Sequence, residues 1–495
     1  MGLAKGNSTR MSNAFESQAL VPVPEWSPRS FGLPSRSAGK LLAFGILIFA
    51  VAAGVCLAFL PDGERQVALP SLAVAAGGCL FLLALTEMNL EAPAGEIGAY
   101  YVAAIMLYAL IPLLGYLFRG MTFTVYNDPR LSRYHPSPAD MGTLGWLHAA
   151  YLLAFAVTYL WVRGRRLLYP VQLSSPAAGT FKVALIAGSA MQIFLYVYSL
   201  FYGVQGETYV EQVKASAAMA ATVPLWLLQV ASHMSQAVLT LKMLILVLLF
   251  MDYRRYRIAI WIWLTVETVL SVSRLGARSP LVFLLITAVF LYHRQARPLR
   301  FWRAGLLLVA GLAAYQSFGL VRSFGSFDIG AVNILTGPGE FESHLGTGFD
   351  VMRRKNLGSL PPVPIQVYFA DFLALIPSQV LPFPKWTGAS WYLDVLKMKN
   401  LGYGFTFGSI AEAAIGFGWP DLMLRGALLG VIFALMHRFY IRRSDSFWVT
   451  ALYIYLVVNS YNSFRSSTFY WVATLWLQVI PVYIVIRLLS GRQKA

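Results

Sequence analysis

Six arginines stand apart from the other basic residues of this chain. Arg274, Arg278, Arg322, Arg353, Arg354 and Arg465 sit in gaps between apolar runs that hold few other cations. A guanidinium is a planar fork that grips phosphate oxygens bidentately, so arginines at helix mouths suit a phosphate or diphosphate head group. Snorkelling to lipid head groups, or pairing with nearby acids, is the plainer role open to each. A second group is Glu340, Glu342, His344 and Asp350, with Arg353, Arg354 and Lys355 just beyond. Transfer of a group to a hydroxyl needs a base at that hydroxyl and a cation at the leaving group. Glu342 or His344 suits the base, and a solvated helix face explains them equally. A third group, Lys242 and Glu267 with His233 and Gln236, falls inside apolar runs. Ionisable residues there are functional candidates by default, although one Lys–Glu pair fixing helix packing accounts for both.

Composition dictates what positions these residues. Of 495 residues, 58% are hydrophobic and 12% charged, with a mean hydropathy of +0.61. Soluble domains carry about 25% charged residues, so the solvent for this chain is a bilayer. The 14% aromatic content and low charge exclude intrinsic disorder. Two cysteines, Cys56 and Cys79, exclude a disulfide scaffold and a Cys-rich metal site. Residues 1–40 are polar and the first apolar run starts at Leu41, which reads as a signal anchor rather than a cleaved signal peptide.

A spanning helix needs about 20 mainly apolar residues, and about twelve runs qualify. They are Leu41–Leu60, Leu69–Leu90, Ala99–Phe118, Thr143–Trp161, Val183–Tyr202, Val223–Met251, Ile258–Val272, Pro280–Tyr292, Ala304–Val321, Pro420–Met436, Phe447–Ser463 and Phe469–Ile486. None alternates in polarity as barrel strands do. The expected class is therefore an all-α, polytopic membrane protein. A cytoplasmic tail (1–40) precedes helices 1–9 (41–321), a long loop or cap (322–419) and helices 10–12 with a short tail (420–495).

Alternate gaps are densely basic. They include Arg163, Arg165 and Arg166, then Arg254, Arg255 and Arg257, then Arg438, Arg442 and Arg443. The Lys/Arg bias places these gaps and both termini in the cytoplasm. The net charge of +17 is then mostly topological and not a nucleic-acid signature. Glu91–Gly98 is the discord, since it should be cytoplasmic and carries no basic residue.

The outward gap from Arg322 to about Trp419 is far longer than the rest, and loops of such length are usually functional or disordered. Here Phe341, Leu345, Phe349 and Met352 recur at helical spacing, as do Trp391, Val395 and Met398. A Pro-rich, aromatic-rich stretch lies between them, which predicts a compact cap on the membrane surface. Ser409-x-x-Glu412 reads as a capping box opening a helix. No Walker A motif and no metal-ligand spacing occur, so neither direct ATP use nor a resident metal is expected. The glycine-rich Gly402–Gly408 segment follows no strand and is not a nucleotide cradle.

Several ordered segments carry a resemblance. They are Leu275-Gly-Ala-Arg278-Ser-Pro, Val321-Arg322-Ser-Phe-Gly325, Gly339-Glu-Phe-Glu342-Ser, Leu375-Ile-Pro377-Ser, Gly404-Phe-Thr-Phe-Gly-Ser-Ile-Ala-Glu412, and Phe464-Arg465-Ser-Ser-Thr-Phe469. A shorter echo is Gly206-Glu-Thr-Tyr209. Over roughly residues 180–490 the chain resembles bacterial O-antigen polymerases of the Wzy type, the oligosaccharide repeat-unit polymerases. The resemblance implies a metal-independent membrane glycosyltransferase with a GT-C-like helical fold and no cofactor. It would polymerise undecaprenyl-diphosphate-linked oligosaccharides at the periplasmic face of the bacterial inner membrane, with a chain-length regulator and a flippase as partners. It assigns Arg278, Arg322 and Arg465 to the diphosphate, Glu342 to an acidic role such as the acceptor base, and Tyr209 to a sugar contact. Arg353 and Arg354 have no counterpart in it. An O-antigen ligase and a twelve-helix transporter or flippase are the alternatives. A transporter would favour short loops and coupling charges at the midplane.

Overall fold

The structure is a computed structural model that describes residues 35–89, 93–119, 136–164, 173–177, 179–202, 222–273, 278–297, 299, 303, 306–307, 340–376, 380–383, 385–397 and 406–491. All regular structure among them is helical, without a strand. The helices are α1 (Ser35–Phe59), α2 (Asp62–Asn89), α3 (Ile97–Arg119), α4 (Pro138–Arg163), α5 (Thr180–Tyr202), α6 (Leu225–Met251), α7 (Tyr253–Ser273) and α8 (Arg278–Leu291). After the gap come α9 (Glu340–Asn356), the short α10 (Ile365–Tyr368) and α11 (Ala370–Leu373), α12 (Gly388–Val395) and α13 (Gly408–Ile415). The chain ends with α14 (Trp419–Arg442), α15 (Phe447–Asn459), α16 (Asn462–Arg465), α17 (Tyr470–Thr474) and α18 (Ile480–Leu489), the last two joined by a π-turn.

Among the described residues seven helical segments are long and apolar enough to cross a bilayer. They lie in α2, α3, α4, α5, α6, α14 and the continuous α17–α18 rod. The apolar stretches of α1 and α8 are shorter. Helix α7 covers the expected Ile258–Val272 run, and α15 covers the start of the expected Phe447–Ser463 run with 13 residues. Most of the Ala304–Val321 run lies outside the described residues. The chain has the build of a polytopic helical membrane protein.

Small residues set how the helices meet. Gly426, Gly430 and Ala434 form a stripe at four-residue spacing on the buried face of α14, and such stripes let helix backbones approach closely in a bilayer. A Cβ on Gly430 would stand 2.6 Å from the Phe155 carbonyl oxygen, and one on Gly426 would stand 2.8 Å from that of Tyr151. Thr158 Oγ1 donates across the seam to the Ala427 carbonyl at 3.1 Å. Pairing of 426 with 151 and 430 with 155 makes α4 and α14 parallel. Gly142 lies against Gln66 and Leu152 against Gly77, so α2 runs parallel to them as well. Helix α3 is antiparallel to α4: Gly98 faces Tyr159, and the Tyr101 and Tyr151 hydroxyls share a hydrogen bond at 2.5 Å.

The C-terminal ends of α2, α4 and α14 and the start of α3 share one end of this bundle. Glu96 and Arg163 meet there with side chains 0% exposed. Arg163 Nε donates to both Glu96 oxygens at 3.0 and 2.9 Å, Nη2 adds a second contact to Oε1, and the Tyr159 hydroxyl donates to Oε2 at 3.1 Å. His437 stacks beside them and bonds the Tyr453 hydroxyl through Nδ1 at 2.6 Å. Glu96, one of the two acids in the gap without basic residues, Glu91–Gly98, is thus neutralised by the arginine that ends α4. Farther along the bundle Lys242 Nζ and Glu267 Oε1 are 2.6 Å apart, with Trp263 Nε1 donating to the same carboxylate oxygen at 3.2 Å. The two charges that fall inside apolar runs pair with each other and join α6 to α7.

Truncating one partner of a buried ion pair strands the other charge and costs about 3–5 kcal/mol. Glu96→Ala is expected to lower the thermal unfolding midpoint in detergent sharply. Asp62→Ala, which removes a pair whose Asp62 side chain is 90% exposed, should leave it nearly unchanged. Equal midpoints for the two variants would remove Glu96 from the load on the fold.

Candidate functional site

At the opposite end of the bundle, where α4 and α14 begin, the loop segments close over the helices. Helix α9 buries Phe341, Leu345 and Phe349, the helical spacing expected of them, and α12 buries Trp391 and Tyr392. Met398 lies outside the described residues. Two contacts dock this cap. Lys355 Nζ donates to the carbonyls of Ala414 and Gly416, both at 2.7 Å, and the Tyr368 hydroxyl donates to that of Ile415 at 2.7 Å. They satisfy carbonyls that the end of α13 leaves open.

Helix α13 carries Glu412 inward. Its start is not the expected capping box: Phe407 is the N-cap and no side chain caps it. Ser409 Oγ instead donates to the Ser463 carbonyl at 3.0 Å, and the Gly408 amide donates to that of Ser466 at 3.1 Å. A glycine is needed at 408 because its φ is +70°. The two bonds tie α13 to α16 and to the turn that follows it, so the Glu412 carboxylate meets that turn rather than its own backbone. Capping boxes form elsewhere, at Ser137–Asp140 and Thr387–Ser390.

Glu412 is the centre of a network. Its Oε2 accepts from Arg425 Nη1 at 2.7 Å, from Thr468 Oγ1 at 2.7 Å and from the Thr468 amide at 3.1 Å. Arg425 Nη1 also donates to Thr468 Oγ1 at 2.9 Å, and Arg425 Nε donates to Asp421 Oδ1 at 3.0 Å. Asp421 lies in the first turn of α14, where the helix dipole favours an anion. Asp371 on α11 accepts from Ser467 Oγ at 2.6 Å and from the Phe469 amide at 3.0 Å. The turn between α16 and α17 thereby orients two carboxylates with successive backbone amides.

These groups line a cavity of about 380 Å³. Asp371, Glu412, Asp421 and Arg425 supply its charge, and Tyr368, Phe372, Phe407, Phe469 and Tyr470 supply aromatic surface. Leu424 and Leu428 close one side and are also exposed on the flank of α14. Burial pushes the Glu412 carboxyl up to about 7, against the opposing pull of Arg425, and burial raises Asp371 as well. Among the described residues no group of three or more His, Cys, Asp and Glu could hold a metal ion.

The residues expected from sequence fall elsewhere. Arg274, Arg322 and Tyr209 lie outside the described residues, and for Arg278, Glu340 and Glu342 only the helical backbone is described. His344 is 1% exposed, its ring 5.0 Å from that of Phe464 and 5.1 Å from that of Tyr108. Asp350 accepts from the Tyr392 hydroxyl and from Arg354 Nε, the latter at 2.7 Å. Arg353 is exposed on α9, and Arg465 is half-buried one residue before the cavity wall. None of these side chains lines the cavity. The sequence pattern around Glu412 is that of a cap, and Asp371, Asp421, Arg425, Ser467 and Thr468 belong to none of the candidate groups drawn from the sequence. The signal available was Arg425 inside an apolar run, four residues after an acid.

Comparison with known proteins finds no match, whether by family model, by curated protein or by solved structure.

The raised Glu412 carboxyl has a consequence for stability. Its folded value, about 7, exceeds the ordinary 4.5, so between these pH values the folded chain binds the extra proton. Its contribution is complete below about pH 4.5 and is lost as pH rises through 7. Full expression of the shift is worth on the order of 3 kcal/mol. The unfolding midpoint of the unaltered chain is expected to fall relative to that of Glu412→Gln between pH 5 and 7.5, as followed by calorimetry in detergent. Parallel curves would place the Glu412 carboxyl at an ordinary value.

Proposed function

We propose that the chain is a membrane glycosyltransferase that polymerises oligosaccharide repeat units carried on undecaprenyl diphosphate. The cavity carries this reading. It combines carboxylates, which bind and deprotonate sugar hydroxyls, with aromatic faces on which pyranose rings stack, at the membrane end covered by the long loop. A glycosyl transfer from a diphosphate needs a base at the acceptor, a cationic clamp on the leaving group and exclusion of water. The cap formed by α9, α10, α11 and α12 suits the last requirement. The resemblance assigns the clamp to Arg278, Arg322 and Arg465.

On this reading the chain crosses the bacterial inner membrane about twelve times in a GT-C-like arrangement. Both termini are cytoplasmic and the cavity is periplasmic. The helix directions support that orientation. The parallel helices α4 and α14 end in Arg163 and in Arg438, Arg442 and Arg443, as the positive-inside bias requires. The cavity then lies at the far, outward end. Lys242 and Glu267 are satisfied by each other, so they give a transporter reading little support. A chain-length regulator and a flippase would be its partners, and a ligase would use the same donor with a different acceptor.

Full-length protein reconstituted with a short lipid-linked repeat unit, without an ion gradient, is expected to yield a ladder of longer products. Arg278→Ala and Arg322→Ala should each reduce the ladder about 100-fold or more while the protein stays folded. Movement of the lipid between leaflets with no ladder would overturn the polymerase.

A further inference from the structure

The cavity has a charge balance of its own. Its wall holds the carboxylates of Asp371, Glu412 and Asp421 against the single guanidinium of Arg425. Two of its three nitrogens are engaged: Nε to Asp421, and Nη1 to Glu412 and Thr468. A diphosphate placed here would meet more negative charge than positive in a partly desolvated space, where like charges repel strongly. An uncharged sugar meets no such barrier. Its hydroxyls donate to carboxylates and its ring face lies on Phe469 or Tyr470, both in the wall.

The hydrogen bonds on Glu412 are distributed unevenly. All three donors converge on Oε2, and no described donor is bonded to Oε1. The side chain retains 14% exposure. One oxygen is therefore fixed by the protein while the other carries no described hydrogen bond, in a residue that lines the cavity. A carboxylate held in this way has a fixed direction and an open lone pair, the arrangement that a general base requires.

We propose that this cavity is the acceptor-sugar subsite, that it takes uncharged pyranose rings and excludes the diphosphate, and that Glu412 is its catalytic base through Oε1. The proposal rests on the polymerase reading and assigns one half of its substrate to a place. In the transfer, the acceptor hydroxyl oxygen forms the bond to the donor's anomeric carbon. The bond from that carbon to the phosphate oxygen breaks, and its electron pair leaves with the lipid diphosphate. The hydroxyl proton passes to Glu412 Oε1. The charged and titratable groups facing Glu412 are Arg425 and Asp421 from α14, Asp371 from α11, Tyr151 from α4 and Tyr101 from α3. With the carboxyl at about 7, the ionised base accumulates as pH rises through neutrality.

The test uses full-length protein in detergent and two probes. These are the uncharged oligosaccharide released from the lipid-linked repeat unit by mild acid, and inorganic diphosphate. The oligosaccharide is expected to bind the unaltered chain and Glu412→Gln with similar affinity. Tyr470→Ala should weaken binding about tenfold, and inorganic diphosphate should not compete. Glu412→Gln should lower ladder formation about 100-fold or more. The unaltered chain should show an acid limb in its pH–rate profile near 7, a readout that needs no variant to fold. Competition by diphosphate would overturn the sugar subsite. Ladder formation by Glu412→Gln at the unaltered rate, or a profile flat from pH 5.5 to 8.5, would overturn the base. An unaltered chain that forms no ladder overturns the polymerase reading and the base together, while the competition arm still decides the subsite.

Discussion

The close approach of α4 and α14 governs the rest of the molecule. In a bilayer the hydrophobic effect gives helices little reason to associate, so packing and interhelical hydrogen bonds must do it. Gly426 and Gly430 remove the side chains that would hold the two backbones apart, and Thr158 bridges the seam. That contact fixes the register of α14 against the bundle. Arg425 immediately precedes the first of these glycines, and His437 follows the second by two turns. A helix rises about 1.5 Å per residue, so the twelve residues from Arg425 to His437 separate the two ends by about 18 Å. One helix pair thus places a polar network at each end of a mainly apolar interior.

The two networks are built differently. Glu96 and Arg163 are sealed with 0% exposure and surrounded by tyrosines. Arg163 Nε and Nη2 and the Tyr159 hydroxyl are all directed at the carboxylate, and Arg163 Nη1 donates to the Gly164 carbonyl. This is how a bundle end is locked. Around Glu412 the donors converge on one side, a cavity opens on the other, and both Glu412 and Asp371 are raised by burial. A carboxyl near neutrality beside a cavity can exchange a proton at physiological pH. The contrast separates the scaffold from the site without reference to any relative.

Much of the scaffold was legible in the sequence because apolar run length is a direct physical requirement of the bilayer. The helical spacing of Phe341, Leu345 and Phe349 gave α9, and Trp391 gave α12. The Lys242–Glu267 pair was legible as one of two roles. The site was not. Its residues come from α11, α13, α14 and the turn before α17, and Asp371 and Thr468 are nearly a hundred residues apart. Short-range patterns cannot join them. Ser409 and Glu412 show why local rules fail here. Their spacing satisfies a capping box, yet a positive φ at Gly408 and the bond from Ser409 to Ser463 turn the helix start toward the turn after α16. Tertiary contact then recruits Glu412 to Arg425 and Thr468.

Arg425 shows why residue type alone does not name a function. An arginine at the outward end of a spanning helix has the chemistry to hold a phosphate. Here its Nε and Nη1 are spent on Asp421, Glu412 and Thr468, and removing them would leave carboxylates unbalanced in a half-buried wall. Its guanidinium therefore acts on Glu412: it holds Oε2, limits the rise that burial imposes on the carboxyl, and leaves Oε1 without a described donor. On the proposed reading, a cation that orients a base differs from one that receives a leaving group. The division follows from geometry, since Nε and Nη1 are held by Asp421, Glu412 and Thr468. On the proposed polymerase reading the diphosphate clamp is a separate set of cations, set apart from this wall by the acidic side chains that Arg425 already holds.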